Sequence, residues 1–258
     1  ADHVGGTMPL AGRTALLYGS NKRVRPEQPA WEDRDWLVVS KGHCGPAVYS
    51  TLALHGFFPE AELATINQGG TNLPSHCDRN KTPGIDMTTG SLGQGMSTAI
   101  GVAFGNRYQG KDSYTYLLLG DGETQEGQVW EGALFASQHK LSNLVAFVDF
   151  NKKQLDGYTK EICDLGDLGQ KFRDFGWFSQ DCDGNDVASV KNAIRAAKKS
   201  SDKPSMIILH TEKGIGCTFT EGVYYNPPVK FSDADCQAAI DQLENSIVTM
   251  EKEELAYV

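Results

Sequence analysis

Tyr114-Thr-Tyr-Leu-Leu-Leu-Gly-Asp-Gly122 runs from a short apolar, β-prone segment straight into a glycine-flanked aspartate. Such a run, closed by a turn signal, reads as a buried strand. Glu123 to His139 then has helical spacing with acids in its first turn. A second apolar strand, Leu144-Val-Ala-Phe-Val-Asp149, ends just before Asn151-Lys152-Lys153. Asp121 and Asn151 therefore stand past the carboxyl ends of two strands joined by a helix. In an open parallel sheet such ends are neighbours, and ligands bind there. A carboxylate and an amide oxygen are hard donors, suited to magnesium or calcium rather than zinc. Glycines on either side of Asp121 let the backbone approach a bulky anion. A hard cation, backbone amides and a helix N-terminus together describe a diphosphate site. Asp-Gly alone is ordinary turn chemistry; the Asn at this distance, after a second strand, makes the pattern specific.

The rest of the chain fits an enzyme domain. Its 258 residues, 40% of them hydrophobic, can bury a sizeable core, as one large α/β domain or two small ones. A formal net charge of −9 argues against a nucleic-acid binder. No apolar run is long enough for a membrane span, and no signal peptide is evident at the start. Six scattered cysteines without a CxxC pair read as reduced, mostly buried thiols in a cytoplasmic protein.

In chain order, Ala1 to Gly6 reads as a turn carrying His3, and Met8 to Tyr18 as a helix. Asn21 to Trp31 is a proline-bearing loop, and Asp35 to Ser40 a strand. Ser40-Lys-Gly-His43 follows that strand and opens a helix from Ala47 to His55. A histidine between small residues at such a junction can reach a phosphate oxygen. His55, on the helix itself, reads as structural. A short helix over Pro59 to Ile66 precedes a long polar loop, 67–90, which holds Leu73-Pro-Ser-His76. Loops of that length inside a domain are usually functional. The loop leads into Gly84 to Phe104, whose second half reads as a small-residue helix. Tyr158 to Gly169 reads as loop and Gln170 to Phe175 as helix. Trp177 to Cys182 and Ser205 to His210 read as strands, with the helix Val187 to Lys199 between them. After the glycine-rich turn at Lys213, residues 214–258 form a loop and a helix, Ser232 to Leu255. That helix opens on a capping box (Ser232, Asp235) and carries an apolar stripe, Ala239, Leu243 and Ile247. The alternation predicts a doubly wound, mainly parallel sheet with helices on both faces.

Asp2-His3-Val-Gly-Gly6, Ser40 to Phe58, Leu73 to His76, Gly84 to Ala103, Leu118 to Gly132 and Phe147 to Gly157 carry a dense set of motifs. In order and spacing they resemble the diphosphate-binding N-terminal part of transketolase over nearly the whole length. The resemblance implies thiamine diphosphate as cofactor and transfer of a two-carbon ketol unit from a ketose donor to an aldose or specialised acceptor. It implies that Asp121, Asn151 and the Lys153 carbonyl hold the metal. Gly122 and His43 would line the diphosphate. Gly90 and Leu92 would meet the cofactor rings, and Gly120 and Glu123 would complete the cofactor-binding set. His3 and His76 would face the donor sugar and assist proton transfer, with His43 beside them. Glu126 matches an acid that links the two active sites of a dimer.

Departures from the family pattern are informative. The cofactor-activating glutamate and the pyrimidine pocket lie, in the family, in a further domain that this sequence does not contain. The chain is therefore expected to be one subunit of a split enzyme, inactive alone, with a partner carrying the pyrimidine-binding and C-terminal domains in an α2β2 assembly. Family members also carry a helix before the His-Val-Gly-Gly turn, so residues preceding Ala1 are expected. Where the family has His-Gly, this chain has Tyr224-Tyr-Asn226-Pro-Pro228. An amide at Asn226 can hydrogen-bond but cannot shuttle a proton, which points to a specialised donor or acceptor. Competing expectations are the α-subunit of a 2-oxo acid dehydrogenase, a deoxyxylulose-phosphate-synthase-like fragment, and a catalytically silent scaffold.

Overall fold

A computed structural model describes residues 4–217, 220–221 and 232–256. Helix α1 (Val4–Leu16) runs into one π-helical turn and then a loop, which delivers the chain to strand β1 (Trp36–Val39). Helix α2 (Gly45–Leu54) follows, with Pro46 in its first turn, where the missing N–H has no helical partner to lose. The long polar stretch carries only a short 3-10 segment, Glu60–Thr65, before α3 (Gln94–Tyr108). Then come β2 (Thr115–Gly120), α4 (Gly127–Gln138), β3 (Leu144–Phe150), a small hairpin of β4 (Lys153–Gln154) and β5 (Gly157–Tyr158), and the single turn α5 (Thr159–Ile162). The order closes with α6 (Leu168–Asp174), β6 (Phe178–Asp183), α7 (Val187–Ala197), β7 (Ser205–His210) and α8 (Asp233–Ala256).

Five strands form one parallel sheet in the order β1-β2-β3-β7-β6. Strand β2 is buried at every residue, as expected where helices cover both faces. Alternate side chains divide the core in two. Tyr116, Leu118, Val145, Phe147, Ile207 and Leu209 pack with α1, α2 and α7. Leu117, Leu119, Ala146, Val148, Met206 and Ile208 pack with α3, α4 and α6. This division is what right-handed crossovers demand. The chain steps one way across the sheet from β1 to β6, placing α3, α4 and α6 on one face. It then steps back to β7 through α7, on the other.

Local chemistry explains the boundaries. Asp186 caps α7 by accepting from the amides of Ala188 (2.9 Å) and Ser189 (3.2 Å). Ser232 and Asp235 form the expected capping box, with Asp235 N donating to Ser232 Oγ at 3.1 Å and Ser232 N donating to Asp235 Oδ2 at 3.0 Å. Three expectations are corrected. The N-terminal turn is helical from Val4 onward. The helix expected over Glu123 to His139 is two pieces, because Glu126 is extended (φ −68°, ψ 128°) between a 3-10 turn and α4. The loop expected over 158–169 begins with β5 and α5. Of the cysteines, which are all free, Cys44, Cys77 and Cys217 are buried, whereas Cys163 and Cys236 are exposed. His55 is structural: its Nδ1 meets the Thr51 carbonyl at 2.9 Å and its ring packs on Tyr18.

Candidate active site

All the main-sheet strands are parallel, so their carboxyl ends lie along one edge. There β1, β2, β3 and the turn after β7 enclose a cleft of about 330 Å³. Its lining includes His43, Leu92, Gly120, Asp121, Gly122, Glu123, Glu126, Asn151 and Lys153. Nine positions singled out from the sequence thus meet in one place. His76 and Gly90 stand together beside it. The His76 ring lies so close over Gly42 that a Cβ there would come within 2.7 Å of its Cδ2, and a Cβ on Gly90 would meet the same ring at 3.4 Å. His3, Tyr224 and Asn226 fall outside the described residues.

Asp121 is buried and accepts two backbone bonds, from Gly122 N (2.8 Å) and Lys152 N (2.5 Å). The second bond joins the ends of β2 and β3. It depends on Lys152 adopting a left-handed φ of 64°, a conformation rare outside glycine and frequent at functional turns. Burial, and after it the charge of Asp149, push the Asp121 carboxyl up to about 7. Asp121 forms no ion pair among the described residues. The charge of Lys41 offsets only part of the cost of burying this carboxylate, and a cation bound directly to it would offset more.

Asn151 supplies the second donor. Its Nδ2 gives a hydrogen bond to Asp149 Oδ2 at 3.1 Å, and its Oδ1 accepts from Lys153 N at 3.0 Å. Asp149 is fully buried and anchored on three sides. Lys41 Nζ pairs with it directly, Thr211 Oγ1 donates to Oδ1 at 2.5 Å, and Asn151 completes the set. Burial alone would raise the Asp149 carboxyl; the charges of Lys41 and Arg13 outweigh burial and hold it below the usual range. The amide of Asn151 is thereby fixed, with its oxygen on the side away from Asp149. One carboxylate, one amide oxygen and nearby backbone form an all-oxygen set of the kind magnesium takes.

Glu123 braces the cleft. Its Oε1 takes the Ser40 hydroxyl and the Gly93 amide (2.8 Å), and its Oε2 takes the Gly120 amide (3.0 Å). One side chain therefore ties the end of β1, the start of α3 and the end of β2. Burial raises its carboxyl above the ordinary range against these three bonds. Gly122 packs tightly against the hairpin: a Cβ there would stand 3.0 Å from Gln154 Cβ. Lys41, Gln125, Gln154, Leu155, Asp156 and Lys213 also line the cleft and were not singled out from the sequence. Leu155 had a readable signal, an apolar residue in a polar turn. Lys41 had none, because its partner lies 108 positions away.

Residues 1–238 match the family described as transketolase, thiamine diphosphate binding domain. The 6-deoxy-6-sulfo-D-fructose transketolase subunit SqwG of Clostridium sp. strain MSTE9 is 47% identical over 242 residues, covering 94% of this chain and 88% of the relative. An apulose-4-phosphate transketolase subunit of Phocaeicola vulgatus is 34% identical over 256 residues, covering 98% of this chain and 90% of the relative. Among solved structures, transketolase from Campylobacter jejuni superposes with a TM-score of 0.80 at 25% identity, over 94% of this chain and 42% of that one. The chain thus spans less than half of that transketolase and most of the subunit-type relatives. It belongs to the transketolase family, as a thiamine diphosphate-binding subunit.

Proposed function

We propose that this subunit, joined to a partner chain carrying the pyrimidine-binding domain, transfers a two-carbon ketol unit from an anionic ketose to an aldehyde acceptor. The observation that carries the reading is the buried Asp121, without an ion-pair partner among the described residues, beside the fixed amide of Asn151 at adjoining strand ends. Asp121, Asn151 and the Lys153 carbonyl would hold magnesium, with Gly120, Gly122 and His43 around the diphosphate and Glu123 bonded to Gly120 beside them. Leu92, exposed in the cleft, and Gly90 would face the cofactor rings. Thiamine diphosphate, when bound, supplies the carbanion-stabilising chemistry. The chain's own task is to anchor it, exclude water and move protons at the donor hydroxyls, for which His76, His43 and His3 are the candidates. As donor we propose a six-carbon ketose with a terminal sulfonate, on the strength of the 47% identity to SqwG. A two-carbon transfer from it leaves an aldose two carbons shorter that keeps the sulfonate.

An α2β2 assembly has support in the molecule. Phe104 and Tyr108 of α3 and Leu134 and Phe135 of α4 are exposed on neighbouring helices, and the Phe104 and Phe135 rings stand 5.8 Å apart. A contiguous apolar patch of this kind marks an interface. A second copy of this chain is its proposed occupant, with Glu126 at the start of α4 close to the two-fold contact. We place the whole 1–258 sequence in one domain, in the cytoplasm; among the described residues no helix is long and apolar enough to cross a membrane.

The test is reconstitution with the partner chain. Isothermal titration should show thiamine diphosphate and magnesium binding, and Asp121→Ala should abolish it. The pair should release a shortened aldose from 6-deoxy-6-sulfofructose in preference to fructose 6-phosphate. Absence of two-carbon transfer from any ketose donor would end the proposal. Preference for the phosphate would overturn the choice of donor alone.

A further inference from the structure

Glu123 brings a carboxyl group to a cleft that is to receive a polyanion. Free in that cleft it would repel the ligand. It is instead buried, and both of its oxygens are turned onto protein donors: Ser40 Oγ and Gly93 N on one, Gly120 N on the other. Two of those donors are backbone amides on separate elements. Gly120 closes β2 and immediately precedes Asp121. Gly93 is the residue before α3 and immediately follows Leu92. The carboxyl group therefore spans the two ends of the cleft, the Asp121 end and the Leu92 end.

The backbone on which it acts has no other slack. Past Asp121, Thr124 turns back and donates to the Asp121 carbonyl from both its amide (2.9 Å) and its hydroxyl (2.6 Å). Trp130 Nε1 in turn holds the Thr124 carbonyl at 2.9 Å. Glu123 grips the chain before Asp121 and Thr124 grips it after. At the other end Gly93 has φ +82°, and a Cβ there would stand 2.9 Å from Glu126 Cβ, so only glycine fits that turn. A backbone so confined relies on its acceptor. An amide side chain in place of the carboxyl would set an NH2 against one of the two backbone N–H groups whichever way it was turned.

We propose that Glu123 is a positioning residue that never touches the cofactor but fixes the separation between its metal-and-diphosphate end and its ring-facing end, through the amides of Gly120 and Gly93. The assignment rests on the thiamine diphosphate reading above and deepens it. Leaving one buried N–H unsatisfied is worth about 10- to 100-fold in an equilibrium constant.

The experiment is isothermal titration of the two-chain complex with thiamine diphosphate, and separately with inorganic diphosphate, both in excess magnesium. Glu123→Gln should weaken thiamine diphosphate by about 10- to 100-fold and inorganic diphosphate by clearly less, because only the larger ligand needs both ends in register. Ser40→Ala, which leaves both amides their acceptor, should change either affinity by less than about threefold. Should the Gln variant fail to fold, Glu123→Asp keeps the charge but is one methylene too short to reach both amides, and the same inequality is expected of it. Equal losses for the two ligands would overturn the coupling of the two ends. Unchanged binding with a lowered melting temperature would show a brace for the fold alone and would also overturn it. Failure of the unmodified complex to bind thiamine diphosphate would overturn the cofactor reading itself, and this inference with it.

Discussion

Gly95 shows how little slack the site has. It lies in the first turn of α3, where a Cβ would collide with the Ser40 side chain and stand 2.9 Å from Ser40 Cα. Because that neighbour is backbone, an added methyl must push α3 away from the end of β1. Gly95→Ala should cost about 1–3 kcal/mol by overpacking. It should also weaken thiamine diphosphate binding, since Glu123 bridges the same two elements. A thermal melt and a cofactor titration measure the two effects. Gly12→Ala is the contrast: its Cβ would find only Val187 Cγ2 at 3.9 Å, so helix propensity predicts a gain of up to about 1 kcal/mol. A melt that falls for Gly12 and holds for Gly95 would refute this account. At this scale the sequence pointed to residues that line the cleft and not to the residues that hold them in place. Asp121 and Asn151 announce themselves through flanking glycines and their place after strands. Asp149 and Lys41 do not, because an aspartate closing an apolar strand and a lysine after a serine are unremarkable until the sheet brings them together.

Among the elements, the long segment between α2 and α3 is the one that periodicity could not describe. Thr89 ties it to the Val39 carbonyl and Tyr49 holds its Pro74 carbonyl, but its most heavily bonded anchor is one buried carboxylate. Asp86 accepts from Lys22 Nζ (2.8 Å), Arg34 Nε (2.7 Å) and Leu37 N (2.9 Å), pinning the segment to β1 and to the chain after α1. Burial would lower the Lys22 ammonium, but the charges of Asp86 and Tyr18 outweigh burial and raise it. Asp86→Ala leaves that lysine buried and unpaired and should cost about 3–5 kcal/mol, read from the urea midpoint. A loss below about 1 kcal/mol would show that the lysine finds water or another partner. Regular elements were legible because each has a period and a stop signal. Strand β7 was readable to the residue, since the unbroken apolar run Met206 to Leu209 is bounded by Ser205, just after a proline, and by His210. The break at Glu126 was not, because the sequence on either side keeps helical spacing. The three bonds gathered by the Glu123 carboxylate accompany that break, and all three groups are remote from α4 itself.

At the scale of the whole molecule, α3 and α4 share an uncovered apolar face. Phe104 is 38% and Phe135 43% exposed, on the two helices that also carry Glu126 and the small-residue stripe of α3. Phe104→Glu with Phe135→Glu should convert the reconstituted enzyme from two copies of each chain to one, as read by sedimentation. A variant that sediments like the unmodified complex would place the contact elsewhere. The parallel sheet has a further consequence, one of timing. The cleft is floored by residues that the ribosome makes far apart: Lys41 meets a carboxylate 108 positions later, and Thr211 meets that same carboxylate from 62 positions beyond it. Strand β7, which sits between β3 and β6, is also the last of the sheet to be synthesised. A nascent chain must therefore keep the edge of β3 unpaired until β7 arrives, and parallel pairings across such distances form slowly. Asp149, which orients the Asn151 amide, gains its Thr211 partner only when that last strand docks, so the cleft is complete only once the whole sheet has closed.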